Sequence, residues 1–182
     1  MTVPTPWPAA APLTTPRLRL EPLRRAHARE AVEVLDDVRL HTWTGGAPSS
    51  LARLEARYAR QEAGRSPDGT QGWLNWMLRR AVDGQVVGTV QATLCRPGAG
   101  GLEASLAWVV GVPYQGGGYA REGALAMASW LRAQGVTRLV AHIHPRHDAS
   151  MAVARALGLT ASDEVVDGEI RWSTAAGPRA SP

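Results

Sequence analysis

The amino-acid sequence predicts an α/β (α+β) protein whose mixed sheet carries helices on both faces. Segments with strand-like patterns and segments with helical periodicity follow one another in the order β-α-α-β-β-β-α-β-α-β-β. The chain has 182 residues, 45% of them hydrophobic, which suits one domain with a sizeable core.

Periodicity and turn signals predict the elements in chain order. They are a strand at 17–20, a helix at 24–35, a loop at 36–46, a helix at 51–63, strands at 73–80, 85–94 and 103–110, a helix at 120–134, a strand at 136–144, a short helix that starts at 148 and is stopped by Gly158, and strands at 164–166 and 169–173. Ser49 and Ser50 are candidate caps for the second helix. The dipeptides Asp83-Gly84 and Asp167-Gly168 are hairpin signals.

A glycine loop stands between the strand at 103–110 and the helix at 120–134. Gly116, Gly117 and Gly118 leave no side chain between the backbone N–H groups and a ligand, and the unpaired donors of a helix N-terminus follow directly. This arrangement is typical of phosphate binding, although a plain connecting turn is the alternative. A Walker loop is excluded because the sequence has no lysine, and Arg121 occupies the third glycine position of a dinucleotide fingerprint.

The remaining pattern resembles the acyl-coenzyme A pyrophosphate loop of the GNAT family of N-acetyltransferases. That pattern is Gln-x-x-Gly-x-Ala, formed here by Gln115, Gly118 and Ala120. Downstream, His147, Ser150 and the tripeptide at 157–159 stand at the offsets of a second family motif, Asn-x-x-Ser followed by a helix that ends in Leu-Gly-Phe. The segment at 15–23 is similar to the opening strand of the ribosomal-protein-alanine N-acetyltransferases. The chain is therefore identified as a member of this family along nearly its whole length.

The resemblance implies a GNAT fold with a mostly antiparallel sheet of six to seven strands. It places a single acetyltransferase domain at 13–175, between a flexible Pro/Ala-rich segment at 1–12 and a flexible tail at 176–182. The implied reaction is transfer of the acetyl group of acetyl-CoA to a primary amine, by direct attack in a ternary complex. A non-catalytic acyl-CoA-binding or regulatory protein of the same fold is the alternative.

The resemblance also implies which residues bind the cofactor. They are Trp108, Val109, Val110, Gln115, Gly116, Gly117, Gly118, Tyr119 and Ala120, largely through their backbone, with His147 and Ser150 from the second motif. His147 stands where the family usually has asparagine.

The catalytic acid and base depart from the family pattern. Many relatives have a glutamate at the position of Ser105, and Glu103 lies two residues earlier on the same side of the strand. We therefore expect Glu103 to act as base, directly or through a water, unless it is a solvated carboxylate. His144 is a second candidate base, and Ser150 is the candidate donor to the sulfur, because Ala154 replaces the tyrosine of other branches.

The histidines imitate a zinc motif but do not complete it. His142, His144 and His147 match the His-x-His-x-Asp-His pattern of metallo-β-lactamase-like hydrolases, except that Arg146 replaces the aspartate. No histidine follows His147 to supply further ligands. We therefore predict no metal site.

The sequence gives the least information about the acceptor substrate. In this family its site is formed by the first helices with their loop, here 35–46, and by the last strand pair. The acceptor is a small-molecule amine, such as an aminoglycoside-like amine or an amino-acid derivative, or a peptide N-terminus. The aromatic candidates for its pocket are His41, Trp43, Trp73, Trp76 and Trp172.

Charge and cysteine content limit the other partners. The net charge of +4 comes from dispersed arginines, so we expect no nucleic-acid partner. No apolar run reaches the roughly 20 residues of a membrane span. A single cysteine, Cys95, excludes an internal disulfide and suits a cytoplasmic protein. A homodimer is left open.

Overall fold

The computed structural model describes residues 6–43, 46–98 and 101–175. The strands are β1 Leu13–Thr14, β2 Leu18–Pro22, β3 Gly72–Arg80, β4 Val86–Cys95, β5 Leu102–Val110, β6 Val136–Ile143, β7 Thr160–Val166 and β8 Glu169–Ser173. The helices are α1 Ala28–Leu35, α2 Leu51–Glu62, α3 Tyr119–Ala133 and α4 Asp148–Ala156. Of the ends predicted to be flexible, residues 1–5 and 176–182 lie outside the described ranges. No helix within these ranges has both the length and the apolar character needed to cross a bilayer.

The eight strands form one mixed sheet in the order β1-β2-β3-β4-β5-β6-β8-β7. Only β5 and β6 run parallel; every other neighbouring pair is antiparallel. The predicted count of six to seven strands is therefore wrong, because the sheet also contains the short strand β1. Two residues are too few to show a periodicity, and β1 exists only through the pairing of Leu13 with Leu20 and of Thr14 with Arg19.

Helices cover both faces of the sheet, as predicted. On one face, α1 and α2 bury Ala31 and Leu54 against Met77 and Val86. On the other face, α3 and α4 bury a larger core that includes Met127. Burial of these apolar side chains on both sides is what holds the central strands in place.

Two predicted element boundaries shift for local reasons. The first part of the helix predicted at 24–35 is a 3-10 turn, Arg25–His27, and α1 begins at Ala28. The strand predicted at 164–166 begins at Thr160 instead. All seven residues of β7 are exposed, so its sequence lacks the apolar alternation from which a strand is predicted.

The described part of the N-terminal segment lies against the sheet. Trp7 Nε1 donates to the Gly69 carbonyl at 3.0 Å, and the Arg96 guanidinium lies 3.8 Å from the centre of the Trp7 ring. Trp76 Nε1 donates to the Ala11 carbonyl at 2.8 Å.

The parallel strands β5 and β6 separate part-way along their length. Their pairing starts with Leu102 and Val136 and ends with Ser105 and Val140. β5 continues to Val110, whereas the rest of β6 pairs with β8. The edge of β5 beyond Ser105 therefore has backbone groups that no neighbouring strand satisfies.

Gly88 allows β4 to approach β5 closely at the end of this open edge. Gly88 pairs with Val110, and a Cβ added at Gly88 would lie 2.1 Å from the Val109 carbonyl oxygen. No side chain fits into that space without moving the β5 backbone.

We therefore expect Gly88→Ala to lower the free energy of unfolding by about 1–3 kcal/mol, because the overpacked Cβ meets backbone rather than a flexible side chain. Urea denaturation followed by circular dichroism measures the change. Thr93→Ala, at a half-buried position of the same strand, is the control, with an expected loss of at most about 1 kcal/mol. Equal losses in both variants would contradict the close approach.

Candidate active site

The glycine loop follows directly from the end of β5. Gly116 and Gly118 adopt left-handed φ values of +77° and +81°, and α3 begins at Tyr119. Gln115 anchors the loop, because its side-chain Nε2 donates to the Val110 carbonyl at 3.1 Å. The N–H groups at the start of α3 have no intrahelical partner, so they face the space beside the loop as donors.

Arg17, from the segment before β2, fixes the conformation of this loop. Its Nη1 donates to the Gly117 carbonyl at 2.8 Å, and its Nε forms a 2.7 Å salt bridge with Glu122 on α3. Thr15 Oγ1 donates to the same carboxylate at 2.6 Å. The guanidinium also lies 4.9 Å from the centre of the Tyr119 ring. Contacts from about 100 residues earlier in the chain therefore hold the loop in one arrangement.

A cleft of about 380 Å³, here called the loop cleft, opens beside the glycine loop. Its wall is formed by the end of β5, the loop, the start of α4 and the segment before α2. The residues that line it are Arg39, Leu40, Trp43, Trp108, Val109, Val110, Tyr114, Gln115, Gly116, Gly118, Tyr119, Ala120, Arg121, His147, Ala149, Ser150 and Val153. Ten of the eleven residues predicted to bind cofactor are among them; Gly117 is the exception.

The residues of the loop cleft fit the phosphates of coenzyme A. A Cβ added at Gly116 would meet nothing within 4 Å, so the loop borders open space. Unpaired N–H donors point into that space, and Arg39 and Arg121 add positive charge at its rim.

A chain of side chains crosses the loop cleft near the separation of β5 and β6. Trp108 Nε1 donates to Ser150 Oγ at 3.2 Å, and Ser150 Oγ lies 3.5 Å from His147 Nε2. The His147 ring stacks on Trp43, with centroids 5.3 Å apart and planes at 17°. Since Ser150 Oγ accepts from Trp108, its own proton is available to another acceptor.

The pKa of His147 is lowered from its ordinary value of 6.5. Burial is the main cause, the neighbouring His144 lowers it further, and Asp148 opposes the shift. The imidazole is therefore neutral at pH 7 and can accept a hydrogen bond.

The other two predicted catalytic residues lie outside the loop cleft. Glu103 lies between two arginines, 3.8 Å from Arg138 Nε and 3.7 Å from Arg171 Nη2. His144 stands at the end of β6, where its Nδ1 accepts from the Arg146 N–H at 3.2 Å. Among the described residues, the structure thus brings Ser150 and His147 together with the glycine loop. The His144 ring lies at the border of the cleft, 5.0 Å from the ring of Trp43, and Glu103 lies apart.

A second cleft, here called the helix cleft, has a volume of about 400 Å³ and lies toward α1 and α2. It shares three residues with the loop cleft: Leu40, Trp108 and Val109. The two clefts therefore meet at β5. Of the side chains predicted to line an acceptor pocket, His41 lines this cleft, whereas Trp43 belongs to the loop cleft.

The remaining predicted pocket residues lie elsewhere. Trp73 lines a smaller adjoining cleft of about 230 Å³, whereas Trp76 and Trp172 are buried in the core at 0% and 4% exposure. In the described ranges, no three histidine, cysteine, aspartate or glutamate side chains converge on a metal position.

Residues 17–160 match the family described as "Acetyltransferase (GNAT) domain". The chain belongs to the GNAT acetyltransferase family. It is therefore an acetyl-CoA-dependent N-acetyltransferase, which favours the enzyme over a non-catalytic acyl-CoA-binding protein.

Solved structures of other GNAT proteins share the fold. An acetyltransferase from Agrobacterium tumefaciens is 24% identical, with a TM-score of 0.68 over 94% of this chain and 98% of that one. A ribosomal-protein-S5-alanine acetyltransferase from Vibrio fischeri is 16% identical, with a TM-score of 0.71 over 94% and 100%. AAC(6')-Ib in complex with paromomycin and acetyl-CoA is 15% identical, with a TM-score of 0.69 over 85% and 91%. No curated protein sequence matches this GNAT chain.

Sequence reasoning missed several residues that line the clefts of this GNAT protein. Arg39 in the loop cleft, and Arg57 and Tyr58 in the helix cleft, were not singled out, and Arg121 was named only as a departure from the dinucleotide fingerprint. Charged residues on a helix usually face solvent, so the only local signal was the position of Arg121 directly after the glycine loop.

A titration tests the environment of His147. We expect its pKa in the folded protein to lie below 6.5, to rise in His144→Gln and to fall further in Asp148→Asn. NMR of the imidazole protons measures all three values. Because the unfolded chain takes up this proton first, His147 also lowers the free energy of unfolding as the pH falls below about 6.5. A His147 pKa unmoved by both substitutions would contradict the assigned causes.

Proposed function

We propose that this enzyme, as a single domain over residues 13–175, acetylates a primary amine by direct attack in a ternary complex. Acetyl-CoA binds in the loop cleft and the amine binds in the helix cleft. The observation that carries the proposal is that both clefts are lined by Leu40, Trp108 and Val109. Two ligands that enter from the two clefts can therefore touch at one point of β5 without exchanging places.

The glycine loop holds the donor by its phosphates in this proposal. The N–H groups at 116–121 are the donors, and the bracing by Arg17 keeps them in position before the ligand arrives. Arg39 is itself oriented by Asp37, with 2.6 Å between Nη2 and Oδ2, and presents a fixed positive charge at the rim.

Acetyl-CoA supplies an acetyl thioester, whose carbonyl carbon is the electrophile. The β5 backbone beyond Ser105 offers hydrogen-bonding groups that β6 does not use, so it can orient groups held in the opening.

Ser150 is the proposed proton donor to the leaving sulfur. Its hydroxyl accepts from Trp108 Nε1, which fixes the oxygen and leaves the proton to point elsewhere. His147 Nε2, at 3.5 Å, is placed to exchange a proton with the same hydroxyl.

The base that deprotonates the amine has to work from the helix cleft. His41 lines that cleft, and an imidazole nitrogen can act as a general base, so it is our candidate. The sequence-based candidates Glu103 and His144 line neither cleft, although the His144 ring lies 5.0 Å from the ring of Trp43, which lines the loop cleft.

We expect Gly118→Asp to raise the Kd for acetyl-CoA at least about tenfold, because the new carboxylate stands where phosphate would bind. Calorimetric titration measures the affinity. Gly135→Asp is the matched control, because Gly135 at the other end of α3 has φ +87° against +81° for Gly118 and lies away from the cleft. Both variants place a side chain at a left-handed φ, but a Cβ at Gly118 also lies 3.2 Å from Arg17 Nη2 whereas one at Gly135 meets nothing within 4 Å, so thermal unfolding of both variants checks that the loop still folds. Equal affinity in both, or no binding by the wild type, would contradict the assigned donor site.

We expect Ser150→Ala to lower kcat about a hundredfold while the KM for acetyl-CoA stays nearly constant, because the proton donor to the sulfur is lost. Release of the coenzyme A thiol during turnover provides the assay. Ser105→Ala, which removes a hydroxyl from β5 outside both clefts, should keep its activity. A Ser150→Ala enzyme as fast as the Ser105→Ala enzyme would exclude the proposed acid.

A further inference from the structure

The helix cleft has a charge pattern that is unusual for a site that receives an amine. None of the described residues lining it is an aspartate or glutamate, and its permanent cation is Arg57 on α2. The adjoining smaller cleft shares Arg57 and adds Arg60, again without an acidic residue among those described. A protonated amine that carries no other charge would be repelled from such a groove.

Arg57 and Tyr58 lie beside each other on α2, and Arg57 has no acidic partner within the described protein. Arg57 forms no salt bridge with a described acidic residue, although several other arginines do. Tyr58 is 3% exposed, and its Oη has no hydrogen-bond partner among the described residues. The guanidinium carbon of Arg57 lies 5.9 Å from the centre of the Tyr58 ring. A buried hydroxyl without a partner is costly, so a ligand oxygen is the natural complement of this pair.

Burial raises the pKa of Tyr58, so its hydroxyl keeps its proton at neutral pH and acts as a donor. A guanidinium beside a hydroxyl donor is suited to a carboxylate, which accepts several hydrogen bonds and carries the opposite charge.

The rest of the helix cleft is mostly apolar. Leu23, Val32, Leu35 and Leu54 come from α1, α2 and the segment before them. A ligand that fills this space buries an apolar body between its two polar ends.

We propose that the acceptor is a small amine that carries a carboxylate on the same molecule, with an apolar body between them. The carboxylate binds Arg57 and Tyr58 Oη, the body lies against the leucines, and the amine reaches Trp108 and Val109. Short apolar peptides with a free C-terminus and ω-amino acids share this chemistry, whereas an α-amino acid, with both charges on one carbon, is the short limit of the series. The inference rests on the proposed function and names the substrate class of the same site.

The same charges argue against polycationic acceptors. AAC(6')-Ib shares the fold and is seen in complex with paromomycin. The helix cleft here presents no described carboxylate that would bind several ammonium groups, so we expect aminoglycosides to be poor acceptors.

The test compares each acid with its own amide, because the amide keeps the amine and the apolar body but loses the negative charge. Leucine, leucyl-leucine and 6-aminohexanoate, each beside its amide, distinguish a single amino acid, a peptide and a longer spacer. We expect at least one acid to exceed its amide at least about tenfold in kcat/KM, measured by thiol release. Paromomycin is tested in the same assay as the polycationic acceptor.

The variants Arg57→Gln and Arg53→Gln assign the preference to one residue. Both arginines are exposed on α2, but Arg53 lines neither the helix cleft nor its neighbour. Arg57→Gln should bring the acid-to-amide ratio of kcat/KM to about one, whereas Arg53→Gln should keep the preference for the acid. Thermal unfolding confirms that both variants fold.

The outcomes separate this inference from the proposed function. If acetyl-CoA binds and amides or paromomycin are acetylated as well as the acids, the inference is wrong and the proposed function stands. An acid preference that survives in Arg57→Gln would also overturn it. If acetyl-CoA binds and none of these amines is acetylated, transfer from the loop cleft to an amine in the helix cleft is itself contradicted.

Discussion

The active site depends on the loss of hydrogen bonding between β5 and β6 beyond Ser105 and Val140. A parallel pair that continued would have buried the β5 edge under a neighbouring strand and left no opening. Because β6 turns to β8 instead, the far half of β5 keeps a free edge between two covered faces. The glycine loop, α4 and both clefts are arranged around that edge. The sheet is stable without this pairing because the apolar cores on its two faces hold the strands in place.

The glycine loop shows how a flexible composition becomes a fixed binding surface. Glycines at 116–118 lose more conformational freedom on ordering than other residues would. Arg17 offsets this cost with a carbonyl contact, a salt bridge and a stacked ring, all made by one side chain. The loop becomes ordered when the protein folds. The entropy cost of ordering it therefore does not reduce the free energy of ligand binding.

Local motifs were predictable from the sequence, and assembled surfaces were not. The glycine loop, Ser150 and the helices around them follow from short patterns, and the structure places them together. The prediction for Glu103 used strand alternation, which fixes the face of a strand but not the distance from Glu103 to the opening at Val109. The helix cleft combines α1, α2, β3, β4 and β5, so no single segment predicts it. The tryptophans illustrate the same limit, because Trp43 and Trp76 were both candidates for the acceptor pocket but one lines the loop cleft and the other is fully buried.

Trp108 lines both clefts and donates to Ser150, so one indole is in contact with whatever occupies either side. In the proposed ternary complex, the donor and the acceptor would therefore touch the same ring. Any effect that one ligand has on the affinity for the other through this ring is reciprocal. The coupling free energy is the same whichever ligand binds first, so a donor that tightens the hold on the acceptor is itself held more tightly by that acceptor.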